Sequence, residues 1–100
     1  MSITTLETEE LNIDKEGITI LDFYAPWCGP CKLLEPILTE LSSELNVIKI
    51  NTDALPKLAS EYKIASLPTL FIYKDGELKK KQVGAINKTS LMNIIENSNN

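Results

Sequence analysis

Residues 18–25, Ile-Thr-Ile-Leu-Asp-Phe-Tyr-Ala, are apolar at nearly every position and rich in β-branched and aromatic side chains. That run predicts a central strand covered on both faces. Gly17 precedes it and Pro26 ends it. The period then changes. Leu33, Leu34, Ile37, Leu38, Leu41 and Leu45 recur at helical spacing and predict a helix over 32–45. Pro36 falls inside that helix, where it removes an amide and should kink the axis. Val47 to Ile50 reads as a second central strand, and Leu55 to Tyr62 as a short helix with Pro56 suited to its first turn. Thr69 to Tyr73 is a further strand. Asp75-Gly76, inside the turn Lys74 to Glu77, signals a hairpin whose return strand is Leu78 to Val83. Ser90 to Asn97 predicts a last helix, with Leu91, Ile94 and Ile95 inward and Asn87 or Thr89 as its cap. Upstream, Ile3 to Leu6 is a short first strand. Thr8 to Ile13, with Glu9 and Glu10 early, predicts a short helix closed by Gly17. The tail 97–100 is expected to fray.

The predicted order is βαβαβαββα, an α/β fold with a mixed central sheet. Its first three strands, joined by helical crossovers, should be parallel, and its last two an antiparallel hairpin. Helices must then cover both faces. The 100 residues suit one domain, 1–100, with 43% hydrophobic and 24% charged content. No apolar run reaches the roughly 20 residues of a membrane helix. Met1 to Glu10 carries neither a basic segment nor an apolar core, so no signal peptide is read there and the cytoplasm is the expected compartment. The net charge of −4 argues against nucleic-acid binding, which draws on Lys/Arg clusters. The one basic run, Lys79-Lys80-Lys81, reads as a solvated strand edge. With no His anywhere, Cys–His nucleophilic chemistry is excluded.

Cys28-Gly29-Pro30-Cys31 holds the only two cysteines, placed where a strand gives way to a helix. A Cys-x-x-Cys in that context reads as a dithiol/disulfide redox site. Residues three apart face each other across one helical turn. The free amides and dipole of a helix N-terminus stabilise a thiolate, so Cys28 should be the exposed nucleophile and Cys31 the more buried resolving thiol. Gly29 permits close approach of a partner and Pro30 stiffens the first turn. The competing readings are half of a zinc site, which needs four ligands, and an inert buried pair. Asp22 interrupts the apolar strand six positions earlier. Buried there, it would have a raised pKa and could deprotonate Cys31, with Lys49 as counter-charge. The bland alternative leaves both at strand ends in solvent. Pro68 opens the strand that should lie beside the cysteine strand.

The segment Asp22-Phe23-Tyr24-Ala25-Pro26-Trp27-Cys28-Gly29-Pro30-Cys31-Lys32 resembles the active-site segment of the thioredoxin family. Pro36, Lys49-Ile50-Asn51-Thr52-Asp53, Leu67-Pro68-Thr69, Lys74-Asp75-Gly76 and Val83-Gly84-Ala85 resemble further family features, in family order and across nearly the whole chain. The resemblance implies the thioredoxin fold and reduction of protein disulfides. It implies Cys28 as nucleophile, Cys31 as resolver, Asp22 with Lys49 as a buried proton-handling pair, and a cis Pro68 against the disulfide. It implies a partner groove made by Trp27, Gly29, Pro30, Ser66, Leu67, Pro68, Val83, Gly84 and Ala85. For Trp27 and Leu67 the alternative is core packing, and for Gly84 a plain strand glycine. The partners implied are a thioredoxin reductase and disulfide-containing proteins, with no nucleic acid and no membrane. A monomer is expected, with no metal or cofactor beyond the redox-active Cys28–Cys31 disulfide. Two rivals remain: an oxidase or isomerase on the same fold, against which the Gly-Pro dipeptide without His counts, and a thiol-independent binding module.

Overall fold

The computed structural model describes residues 1–99 and contains five strands and three helices. In chain order they are β1 (Ser2–Thr5), β2 (Ile18–Tyr24), α1 (Gly29–Leu41), β3 (Asn46–Asn51), α2 (Pro56–Glu61), β4 (Thr69–Lys74), β5 (Glu77–Val83) and α3 (Lys88–Ser98). The strands form one sheet in the order β1-β3-β2-β4-β5. β3 runs parallel to both β1 and β2, while β4 is antiparallel to β2 and β5. The expected mixed sheet, parallel triplet and terminal hairpin are all present.

Successive strand residues point to opposite faces, and each face has its own core. Ile18, Ile20, Val47, Leu70 and Ile72 pack with Leu34, Leu38 and Leu41 of α1 and Leu91 and Ile95 of α3. On the opposite face Leu21, Phe23, Ile50 and Phe71 pack with Leu55 and Leu58 at α2. Phe23, Tyr62 and Phe71 stack there with ring centroids 5.2 to 5.6 Å apart. This two-sided burial explains why β2 reads as continuous apolar sequence. The lysine run lies on β5, an exposed edge strand, as expected.

The helix predicted over Thr8 to Ile13 is absent: residues 6–17 cross the sheet as an irregular strap. Six residues hold too few helical bonds to offset nucleation, and the strap's groups bond elsewhere. Glu9 accepts from the amides of Lys57 and Leu58, both at 3.0 Å, capping the first turn of α2. Leu6, Leu11 and Ile13 pack onto the α2-side core. Gly17 and Asp75 exchange two bonds at the strap's end, Gly17 N to Asp75 Oδ1 at 2.7 Å and Asp75 N to Gly17 O at 2.9 Å. Helix α1 also starts and stops earlier than its apolar period suggests: residues 42–45 form a turn, yet Leu45 still packs into the core. Asn87 caps α3 by accepting from the Ser90 amide at 2.8 Å. The tail expected to fray is helical through Ser98, whose hydroxyl bonds the Ile94 carbonyl at 2.7 Å. Asn100 lies outside the described residues.

Candidate active site

The strand β2 delivers the chain to Ala25, and a turn through Pro26 and Trp27 follows. The Cys28 amide donates to the Ala25 carbonyl at 3.1 Å. Cys28 keeps an extended backbone, φ −85° and ψ 111°, and serves as the N-cap of α1. Its sulfur accepts from the Cys31 amide at 3.2 Å. Gly29 and Pro30 open the helix, where a missing proline N–H has no intrahelical partner to lose. Cys28 and Cys31 are joined as a disulfide with their Cα atoms 5.3 Å apart.

The expected difference in exposure between the two cysteines is not found: each is 5% exposed, with Tyr24 and Leu67 packed against the pair. The two cysteines differ in what they face. Cys28 lines an open groove of about 440 Å³, whereas Cys31 lines a separate cavity of about 100 Å³.

Trp27, Gly29, Pro30, Ser66 and Leu67 line the groove beside Cys28. Thr52, Ala59, Ile64 and Ala65 complete it. Pro68, Val83, Gly84 and Ala85, expected in the same wall, do not line it. Pro68 is fully buried and follows a cis peptide bond from Leu67. Its carbonyl accepts from the Gly84 amide at 2.8 Å, which sets Val83 to Ala85 beside it, with Val83 and Ala85 exposed and Gly84 half-buried. Gly84 has φ +90°, a conformation that a side chain resists, so it is more than a plain strand glycine. Trp27 is 70% exposed, which excludes a core role. Its indole Nε1 donates to Asp53 Oδ2 at 2.9 Å. Asn51 Oδ1 in turn accepts from the amides of Asp53 and Ala54 at 2.9 and 3.3 Å, fixing the turn that carries the carboxylate.

Asp22 sits in the middle of β2 and is 2% exposed, so the strand-end alternative fails. Its neighbours in register are Lys49 on β3 and Leu70 on β4. Among the described residues its Oδ1 has no hydrogen-bond partner. Burial, the dominant cause, pushes its pKa up to about 7; the Lys49 charge pulls the other way and Glu35 adds to the rise. Lys49, expected as the counter-charge, acts on Asp22 through its charge without a direct ion pair among the described residues. Lys49 Nζ instead bonds Glu35 Oε1 at 3.0 Å and lies 4.9 Å from the centre of the Tyr24 ring. Glu35 is half exposed on α1, so the ammonium keeps access to water there; a charge pulled fully inside would lose its hydration. Asp22, Cys31, Glu35 and Lys49 all line the 100 Å³ cavity, which is roomy enough for water. Among the described residues no group of three or more His, Cys, Asp or Glu is placed to hold a metal ion, and no helix is long and apolar enough to cross a membrane.

Sequence reasoning missed Asn51 and Asp53 as supports for Trp27, Glu35 as the lysine's partner, and the α2 side of the groove. The turn-forming Asn51-Thr52-Asp53 was a readable signal for the first. No signal in the sequence places Glu35 beside Lys49, because their elements meet only in the folded chain.

The Thioredoxin family model matches residues 2–97. A chloroplastic M-type thioredoxin of Spinacia oleracea is 42% identical, the match covering 88% of this chain and 51% of that protein. Thioredoxin 1 of Synechococcus elongatus is 46% identical, with 77% of this chain and 76% of that protein covered. The chain thus spans about half the length of its chloroplastic relative. Among solved structures, reduced Schistosoma mansoni thioredoxin pre-protein superposes with a TM-score of 0.82 at 28% identity, covering 98% of this chain and 99% of that one. Oxidised mitochondrial thioredoxin 3 from Saccharomyces cerevisiae gives 0.77 at 33% identity, covering 95% and 94%.

Proposed function

Because the chain belongs to the thioredoxin family and carries a Cys-x-x-Cys pair, it is a thiol–disulfide oxidoreductase, and we propose that it reduces disulfides in protein substrates. The observation that carries this reading is the division of surroundings at the helix N-terminus. One sulfur borders an open groove, and the other shares a cavity with a buried carboxyl.

In the reduced protein the Cys28 thiolate, stabilised by the start of α1, attacks a substrate disulfide. One substrate sulfur leaves as a thiolate and takes a proton from solvent; the other stays bonded to Cys28. Asp22, as its carboxylate, then accepts the Cys31 thiol proton through water in their shared cavity. The Cys31 thiolate attacks Cys28, the Cys28–Cys31 bond forms, and the second substrate thiolate departs. Two electrons pass to the substrate and the protein is left as the disulfide. The groove of Trp27, Gly29, Pro30, Ser66 and Leu67 receives an extended substrate segment, with Pro68 behind it and Val83, Gly84 and Ala85 beside it. Strand addition along the Leu67 backbone fits that shape.

The cycle closes through a thioredoxin reductase, and the disulfide is the only redox group it needs. Residues 1–100 act as one domain and as a monomer. The cytoplasm suits this chemistry, since its thiol pool is kept reduced. Trapping tests the assignment. A Cys31→Ser variant should accumulate a mixed disulfide through Cys28, and Cys28→Ser should accumulate none. Full cellular function in Cys28→Ser would instead favour a thiol-independent binding module.

A further inference from the structure

The cavity joining Asp22 to Cys31 has an unexpected member. Glu35 reaches into its lining from α1 and takes the Lys49 ammonium at 3.0 Å. Lys49 is the direct register neighbour of Asp22, yet Asp22 Oδ1 is left with no partner. The nearest cation is therefore diverted from the buried carboxyl by a carboxylate in the same cavity wall.

We propose that Glu35 is a positioning residue of the reaction: by engaging the Lys49 ammonium it keeps that cation from pairing directly with Asp22 and so keeps Asp22 a strong proton acceptor for Cys31. The inference rests on Asp22 being the base, as above. Its chemistry follows from the alternatives open to Lys49. With Glu35 removed, the ammonium's remaining acceptor in this cavity is Asp22. An ion pair there favours the carboxylate, which then ionises at lower pH and draws less strongly on the thiol proton. Glu35 also acts directly, because its own negative charge opposes ionisation of Asp22. The other groups facing Asp22 are accounted for. Lys32 and Cys31 come from α1, Tyr24 from β2, and β4 presents only the apolar Leu70. Of these only the Tyr24 ring lies close to the Lys49 ammonium, its centre 4.9 Å away, and among the described residues the lysine's ion pair is with Glu35.

Glu35 is 54% exposed, so it can be replaced without opening the core. The direct test follows the Asp22 carboxyl by NMR titration in the oxidised protein, where the cysteines do not titrate. Glu35→Ala should lower the Asp22 midpoint by about 1–2 pH units, and Glu35→Gln, which still offers Lys49 an oxygen, by less. In a Lys49→Met background the Glu35→Ala shift should shrink to the small direct part. Single-turnover release from the mixed disulfide should follow, its acidic limb moving down by the same interval and its plateau falling. An unchanged midpoint in Glu35→Ala, or an equal shift with and without Lys49, overturns the proposal. If the midpoint moves and the release profile does not, the hold of Glu35 on the carboxyl stands and the base role of Asp22 fails.

Discussion

Replacing Asp22 by Ala should make the oxidised protein more stable above neutrality and leave it little changed in acid. Asp22 is 2% exposed with an unpartnered oxygen, and its pKa rises from 3.8 to about 7. Below pH 3.8 the carboxyl is neutral in the folded and the unfolded chain alike, and it costs no charge burial. Between 3.8 and about 7 the unfolded chain releases this proton while the folded chain keeps it, so the contribution to stability falls as pH rises. Above about 7 the cost is complete. At 1.36 kcal/mol per tenfold change in proton affinity, it reaches about 4 kcal/mol. Ala removes this cost and leaves a small void beside an existing cavity, so the net gain should be about 2–4 kcal/mol, or roughly 10–20 °C in Tm for a domain this size. Urea denaturation of the disulfide form at about pH 4, about pH 5.5 and about pH 8 reads the effect without interference from thiols. The difference between variant and parent should be at or slightly below zero, then about 1–2 kcal/mol, then largest. A gain that is the same at all three pH values, or a variant less stable at high pH, would refute the reasoning. The same variant should release substrate from the mixed disulfide more slowly.

Two further outcomes follow from hydrogen bonds in the structure. Asp53→Ala frees the Trp27 indole from its 2.9 Å bond; in this exposed setting the loss is about 1 kcal/mol, giving a roughly fivefold fall in kcat/KM toward a protein disulfide. Trp27 fluorescence anisotropy should fall with it, and an unchanged anisotropy would show that the bond does not hold the ring. Glu9→Ala removes both bonds that cap α2 and should lower stability by about 1 kcal/mol in urea titrations, with the redox potential unmoved.

Elements that bury a face of their own were legible in the sequence. β2 is apolar at nearly every position because α1 and α3 cover one side and α2 the other, and a pattern of that kind needs no tertiary knowledge. The cysteine spacing, the Asp75-Gly76 turn and the Asn87 cap are equally local. The strap at residues 6–17 was not legible, because its decisive interaction joins Glu9 to amides 48 and 49 positions away. Local rules took the same acidic residues for the start of a helix. Asp22 stood out as a charged residue in an apolar strand, and burial is the dominant cause of its unusual proton affinity. The destination of Lys49 was hidden for the opposite reason: two acidic residues compete for it, and only the position of α1 decides between them. The groove was half visible. Trp27 and Leu67 were marked by the resemblance, while nothing local marks Ala59 on α2 or Ile64 beyond its end as groove residues.

The central claim is that the Cys28–Cys31 pair donates electrons. Its redox midpoint, read from Trp27 fluorescence across a dithiothreitol buffer series, tests that most directly. Thioredoxins lie near about −270 mV, isomerases near about −180 mV and strong oxidases near about −120 mV. The account predicts a midpoint near the first value. A midpoint near either of the others would reverse the direction of the chemistry and contradict it.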